Sequence, residues 1–165
     1  MRKIKFRGKR KDNREWVFGS LFIEFEIELK RERVFILTDK TRYFRRMNFT
    51  DNLIKFGIYE VIPETVGQYI NDTRDKNGMP LFEGDIVRMT DCFENEWLTV
   101  VEYHNGAFLL VTKKVIKYLY PPNATFPSTV PANKIPVFYA EQQGEVIGNI
   151  HDNPELLENK EVDEK

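Results

Sequence analysis

The sequence predicts a mainly β protein. We expect an N-terminal antiparallel meander sheet packed with a C-terminal small SH3-like barrel, then a short C-terminal helical turn. Three observations carry this. Thirteen Phe, seven Tyr and two Trp in 165 residues suit pleated, half-buried surfaces. Period-two alternation recurs, most clearly in Ile23-Glu24-Phe25-Glu26-Ile27-Glu28-Leu29, and strands are the elements whose side chains alternate. Short apolar runs are also punctuated by turn residues, above all from Gly67 to Val87, a spacing typical of sandwiches and small barrels.

In order along the chain, Ile4 and Phe6 alternate with Lys3, Lys5 and Arg7, so residues 2–7 read as a half-buried strand. Residues 11–14 turn. Residues 16–22 form a second strand in which Gly19-Ser20 marks a bulge. In residues 23–29 the apolar set Ile23, Phe25, Ile27 and Leu29 faces a core and three Glu face water. Residues 30–33 turn and 34–37 return. The Glu face and the basic turn discourage edge-to-edge pairing. Residues 39–58 fit neither period and are expected as one strand or short helix plus loop. Residues 59–62 are a strand stopped by Pro63, and 65–70 another.

Asn77-Gly78 suits a two-residue hairpin turn with φ > 0 at both positions. Glu83-Gly84-Asp85 is a second turn, in which Asp85 accepts backbone N–H groups. Strands follow at 86–90, 97–103 and 107–111, with a polar excursion at 91–96 and a turn at 104–106. Residues 121–136 hold five of the eight prolines and read as a long, exposed, semi-rigid loop. Residues 145–150 are the last strand, and Asn153 caps a helical turn that has Pro154 at its first position. We expect one domain over 1–157, with lobes of about 1–70 and 71–157, and a charged tail at 158–165.

A hydrophobic fraction of 41% and a charged fraction of 31% exclude a disordered chain. Cys92 is the single cysteine. It allows neither an internal disulfide nor a thiolate metal site, and fits a reducing cytoplasm. No apolar run is long enough for a membrane helix. Residues 1–46 carry 15 Lys/Arg against 7 Asp/Glu, and residues 47–165 carry 10 against 19. That asymmetry suits a nucleic-acid or acidic-partner surface, or attraction between halves or subunits.

Chemistry-bearing constellations are sparse. With Gly78 at position 6 of a calcium loop, Thr73 falls at position 1 and Gly84 at position 12, where Asp and a bidentate Glu are required. His104 and His151 each precede turn residues and read as exposed or capping. Neither stands at zinc-ligand spacing from the other or from Cys92. No catalytic residue, metal or cofactor is expected, and the chain does not read as an enzyme. The best contact candidates are basic residues interleaved with aromatics: Arg42, Tyr43, Phe44, Arg45 and Arg46, with Lys3, Lys5 and Arg7. Such residues can neutralise phosphates and stack on bases. A solvated outer strand face is the plainer reading and is preferred.

Four blocks carry a resemblance: Ile4-Lys5-Phe6-Arg7; Pro63-Glu64-Thr65-Val66-Gly67-Gln68-Tyr69 with Asp75-Lys76-Asn77-Gly78; Phe82-Glu83-Gly84-Asp85-Ile86-Val87; and Val146-Ile147-Gly148-Asn149-Ile150-His151-Asp152-Asn153-Pro154-Glu155-Leu156-Leu157. In these the chain resembles the YopX family of small phage and prophage proteins. The resemblance implies a mainly β fold and a phage-type origin, hence the cytoplasm of a bacterial host. It transfers no catalytic or binding residue, because the family has no established biochemical activity. The expectation is a non-enzymatic accessory protein that binds or self-assembles, with itself or a phage or host protein as partner. The alternative is a weak, sequence-independent nucleic-acid-binding module using the basic N-terminal half.

Overall fold

The computed structural model describes residues 4–38, 57–117 and 133–158. The architecture is mainly β, built from antiparallel sheets. The chain divides into two compact units, Met1–Asn71 and Asp72–Lys165.

In the first unit, β1 (Phe6–Lys9), β2 (Trp16–Glu26), β3 (Arg31–Leu37), β4 (Ile58–Glu60) and β5 (Gly67–Arg74) follow in chain order. Their order in the sheet is β4-β3-β2-β1-β5, and the pairings are antiparallel. Gly8 lies opposite Val17 and Leu21 opposite Ile36, which puts the Val17, Leu21 and Ile36 side chains on one face. That face holds the core: Val34, Ile36 and Val61, with Phe6, Val17, Leu21 and Val66 against it.

Three expectations change here. Residues 16–26 are one strand, and Gly19 marks no bulge. β2 pairs with β1 up to Gly19 and with β3 from Ser20 onward, with no register shift in either ladder. Glycine is needed because a Cβ at position 19 would sit 2.0 Å from the Leu37 carbonyl oxygen. The hairpin turn falls at 27–30 rather than 30–33. Lys30 adopts φ 49°, so Ile27 and Leu29 belong to the turn, and Arg31 to Arg33 pair with β2. Finally, the strand expected from Thr65 starts at Gly67, and Thr65 ends a 3-10 turn, Pro63–Thr65. The Thr65 hydroxyl donates to the Ile62 carbonyl (2.7 Å) and accepts the Lys9 N–H (2.9 Å).

In the second unit, β6 (Pro80–Phe82) neighbours the end of β5. β7 (Asp85–Thr90), β8 (Glu96–His104), β9 (Ala107–Lys117), β10 (Lys134–Pro136) and β11 (Gly144–Asn149) form a five-stranded antiparallel sheet ordered β10-β9-β8-β7-β11. Ile86, Leu98 and Val100 are buried with Ile147, Leu156 and Leu157 against them.

Asn77-Gly78 is not the expected two-residue turn, since only Gly78 has positive φ (82°). The Gly78 N–H donates to the Asp75 carbonyl and the Asp75 N–H to the Met79 carbonyl, the pattern of a three-residue loop ending in a left-handed residue. The cause is Asp75. Its Oδ1 accepts the N–H groups of Asn77 and Met79, each at 2.8 Å. The turn with positive φ at both centres lies instead at Asn105 (49°) and Gly106 (89°). Replacing Gly78 by Val is expected to cost about 1–3 kcal/mol, because a β-branched residue resists φ > 0. A Cβ there meets nothing within 4 Å, so the cost is conformational. An unchanged denaturant midpoint would contradict it.

Asp85 behaves as expected: its Oδ2 accepts the Phe82 N–H at 2.8 Å, closing the turn at Gly84. The proline-bearing segment differs from expectation at its described end, where Lys134–Pro136 pairs with β9. A 3-10 turn, Val137–Tyr139, and a one-turn helix α1 (Ala140–Gln143) then lead into β11. Residues 39–56, 118–132 and 159–165 lie outside the described residues, and with them fall the expectations for most of 39–58, most of the proline-bearing loop and most of the tail. Asn153 precedes the 3-10 turn Pro154–Leu156, but its side chain makes no cap. Its Oδ1 instead accepts the Asn149 N–H at 3.4 Å and occupies the space over Gly148, where a Cβ would lie 2.3 Å away.

Candidate interaction surface

The β2–β3 hairpin outruns the sheet that carries it. β1 pairs with β2 only through Gly19, and β4 pairs with β3 only from Phe35 onward, extended by the Val61 N–H to the Val34 carbonyl (2.9 Å). Among the described residues, 22–26 and 31–33 are therefore a two-stranded ribbon. Leu21 reaches the core. Ile23 and Phe25 lie on the same face but beyond it, opposite Val34 and Glu32. Ile23 is 52% exposed, Phe25 59%, Ile27 80% and Leu29 59%. This overturns the expectation that these four face a core. Alternation does place Ile23 and Phe25 on one face, but that face passes the edge of the core.

The glutamates of the same ribbon are not bare charges either. Glu26 pairs with Arg31 at 2.7 Å and Glu24 with Arg33 at 3.9 Å. These cross-strand pairs, read directly from the register, neutralise much of the charge expected to repel a neighbouring strand. Arg33 also reaches Glu60 at 2.6 Å, and Lys11 reaches it at 2.5 Å. Chiefly through the hydrogen bond from Arg33, with Lys11 adding to it against the opposing effect of burial, the Glu60 carboxyl falls from its usual 4.5 to about 2. A depressed carboxylate stabilises the fold fully above its unfolded value and loses that contribution as pH falls through its folded value. Glu60→Gln is thus expected to cost about 1–2 kcal/mol near neutrality after allowance for screening. The difference from wild type should close between pH 4.5 and about 2. A difference that persists at the acid end would refute this pair as its source.

Of the basic–aromatic contact candidates the structure describes two, Lys5 and Arg7. Arg42, Tyr43, Phe44, Arg45 and Arg46 lie outside the described residues, as does Lys3. Lys5 is exposed. Arg7 is only 7% exposed, with its guanidinium 4.8 Å from the Trp16 ring centre, a cation–π geometry. It is therefore no outward-facing strand residue. The even positions of β2 and the odd positions of β1 share a face, so Trp16 covers it. Arg10 stacks on Tyr59 at 4.3 Å and is bound by Asp12 and Glu15; the Asp12 hydrogen bond holds it further above its usual range. Among the described residues, much of the basic charge of this unit is thus answered by its own acids and rings.

In the second unit the sequence reading missed a cluster around His104. Glu102 Oε2 lies 2.8 Å from His104 Nε2, Glu102 Oε1 lies 2.5 Å from Lys113 Nζ, and Lys134 Nζ lies 3.5 Å from His104 Nδ1. The legible signal was Glu-x-His on one strand, since residues two apart share a face. Burial, the largest single influence, pushes the Glu102 carboxyl up. The hydrogen bonds from Lys113 and His104 outweigh it and leave the group below its ordinary value. Both imidazole nitrogens face a partner, so neither is presented to a substrate as a base. His151 lies in the 149–153 turn, where its N–H donates to Asn149 Oδ1 at 3.0 Å. Cys92 is exposed in the 91–95 loop. Among the described residues no three His, Cys, Asp or Glu side chains are grouped to hold a metal ion, and no helix is long and apolar enough to cross a membrane.

A family model described as YopX protein matches residues 5–158. The chain belongs to the YopX family. Apart from Ile4, the four blocks that carried the resemblance fall inside this match. Among solved structures, the chain is similar to the X-ray crystal structure of protein yopX from Bacillus subtilis. Identity is 15%, coverage is 97% of this chain and 99% of that one, and the TM-score is 0.47. No curated protein matches the sequence. In this YopX-family chain the blocks are largely turn-forming. Asp75 and Asp85 accept backbone N–H groups, and Asn149 Oδ1 accepts those of His151 and Asp152.

Proposed function

We propose that this protein is a non-enzymatic binding module that acts by protein–protein association through the hairpin arm of residues 21–29. The observation that carries the reading is the exposure of Ile23 and Phe25 on the ribbon and of Ile27 and Leu29 in the turn that joins its strands. Contiguous exposed apolar side chains rimmed by charge mark interaction sites, and the rim here is Glu24, Glu26, Arg31 and Arg33. The phage or prophage setting and the bacterial cytoplasm belong to the same proposal. They rest on the family and on the single exposed thiol. An SH3-like reading of the second unit is supported by its strand order and by the one-turn helix before β11, and small barrels of that kind commonly serve recognition.

Phe25→Ser with Ile27→Ser and Leu29→Ser tests the arm. Residues kept for a contact rather than for folding can be removed with little loss. Unfolding free energy should change by less than about 1 kcal/mol, as for surface substitutions, while association is lost. A loss of more than about 2 kcal/mol would show that these side chains belong to a core and would end the proposal.

A further inference from the structure

Resting on that reading, we infer that the occupant of the arm is a second copy of this chain, added by antiparallel pairing of the β1-side edge of β2 beyond Gly19 with the same edge of its partner. Among the described residues, no strand covers the β1-side edge of residues 22–26. An open edge presents a row of backbone donors and acceptors that an added strand can satisfy. The segment is self-complementary. With a two-fold axis at Ile23, each copy's Leu21 stands opposite the partner subunit's Phe25, and the two Ile23 side chains meet. Residues opposite one another in an antiparallel pair share a face. The apolar stripe Leu21, Ile23, Phe25 therefore continues without a break into its mirror set, as an isologous interface requires. Moving the axis one residue, to Glu24, would set the two Glu24 carboxylates opposite one another and put each Leu21 against the partner subunit's Ile27, a turn residue. The charges permit the approach, because Glu24 and Glu26 are already paired with Arg33 and Arg31 of their own copy. The interface is apolar at its centre and charged at its margins, so association should depend little on salt.

The experiment uses the full chain and two readouts. Sedimentation at tens of micromolar, in low and moderate salt, should show a dimer. Phe25→Glu should raise its dissociation constant about 30-fold or more, as for a central interface residue. Phe25→Ser serves as a charge-conserving second variant, with circular dichroism showing that both fold. For geometry, Ile23→Cys in a Cys92→Ser background should give a disulfide-linked dimer under mild oxidation. Glu28→Cys should not, because that register separates the two copies of residue 28 by roughly 30 Å. A wild-type monomer overturns the second copy as occupant and leaves the arm to be judged by the stability test above. A dimer that Phe25→Glu breaks but residue 23 does not cross-link overturns strand pairing and keeps the arm. A dimer indifferent to Phe25→Glu overturns both.

Discussion

Replacing Asp75 by Ala is expected to destabilise the second unit by about 3–5 kcal/mol, the largest effect of any single substitution considered. The carboxylate is 4% exposed and accepts three backbone N–H groups: Asn77 and Met79 on Oδ1 at 2.8 Å each, and Val146 on Oδ2 at 2.9 Å. Hydrogen bonds to a charged acceptor contribute about 1.5–3 kcal/mol each, and a buried donor left without one carries its full desolvation cost. The three are not additive, because one side chain makes them all. Asp75→Asn should fall between wild type and Asp75→Ala. The amide oxygen can keep the Asn77 and Met79 contacts, while its NH₂ would face the Val146 N–H, donor to donor. Urea denaturation followed by a probe in the second unit measures the series. A change below about 1 kcal/mol for Asp75→Ala would show that the turn and β11 hold together without it.

Gly19→Val is expected to cost about 3 kcal/mol. Its cause differs from that at Gly78. Position 19 has no positive φ, so nothing about its backbone requires glycine. What requires it is the Leu37 carbonyl, 2.0 Å from where a Cβ would stand, with the Leu37 carbon at 2.7 Å. Those atoms are backbone, and they can yield only if β2 and β3 part where β2 leaves β1 for β3. Even Gly19→Ala should show most of the loss. Hydrogen exchange would locate it: faster exchange across 20–26 and 31–37 with little change in the second unit is the expected pattern. Equal stability of wild type and Gly19→Ala would mean that the approach is looser than the structure shows.

What the sequence revealed and what it hid follow from the kind of signal each residue carries. Alternation in 23–29 correctly announced a strand leading into a hairpin, because side-chain direction is a local property. It could not announce whether anything covers the apolar face, because coverage depends on how far neighbouring strands run. The two Asn-Gly pairs make the same point. The dipeptide alone does not choose between a two-residue and a three-residue turn. Asp75, two residues before Asn77, decides it at the first site by holding the Asn77 and Met79 amides. At the second, His104 and Ala107 are paired directly and both Asn105 and Gly106 have φ > 0. The Arg7 site was misread because a charged residue in an alternating strand is ordinarily outward. Only the register that brings Trp16 beside it explains its burial. The Glu102–His104 pair was open to the same period-two rule but was passed over in favour of the turn that follows it.

The Val146 amide on Asp75 joins residues 71 positions apart in sequence, and β11 returns to β7 across a comparable gap, Asp85 to Asn149. That has a temporal meaning. The β7–β8–β9 meander can assemble from local hairpins on the microsecond scale, whereas β11 must close a long loop first. On the ribosome, where residues emerge at about 5–20 per second, the ladders of the first unit have all their strands by residue 71. The second unit waits several seconds more for its last strand. During that interval the outer edge of β7 stands without its neighbour and the Asp75 carboxylate lacks one of its three donors. Refolding of the full chain should therefore show the β7–β8–β9 meander forming first and a slower phase as β11 docks on β7. Substitutions at Val146 should act on that slow phase alone.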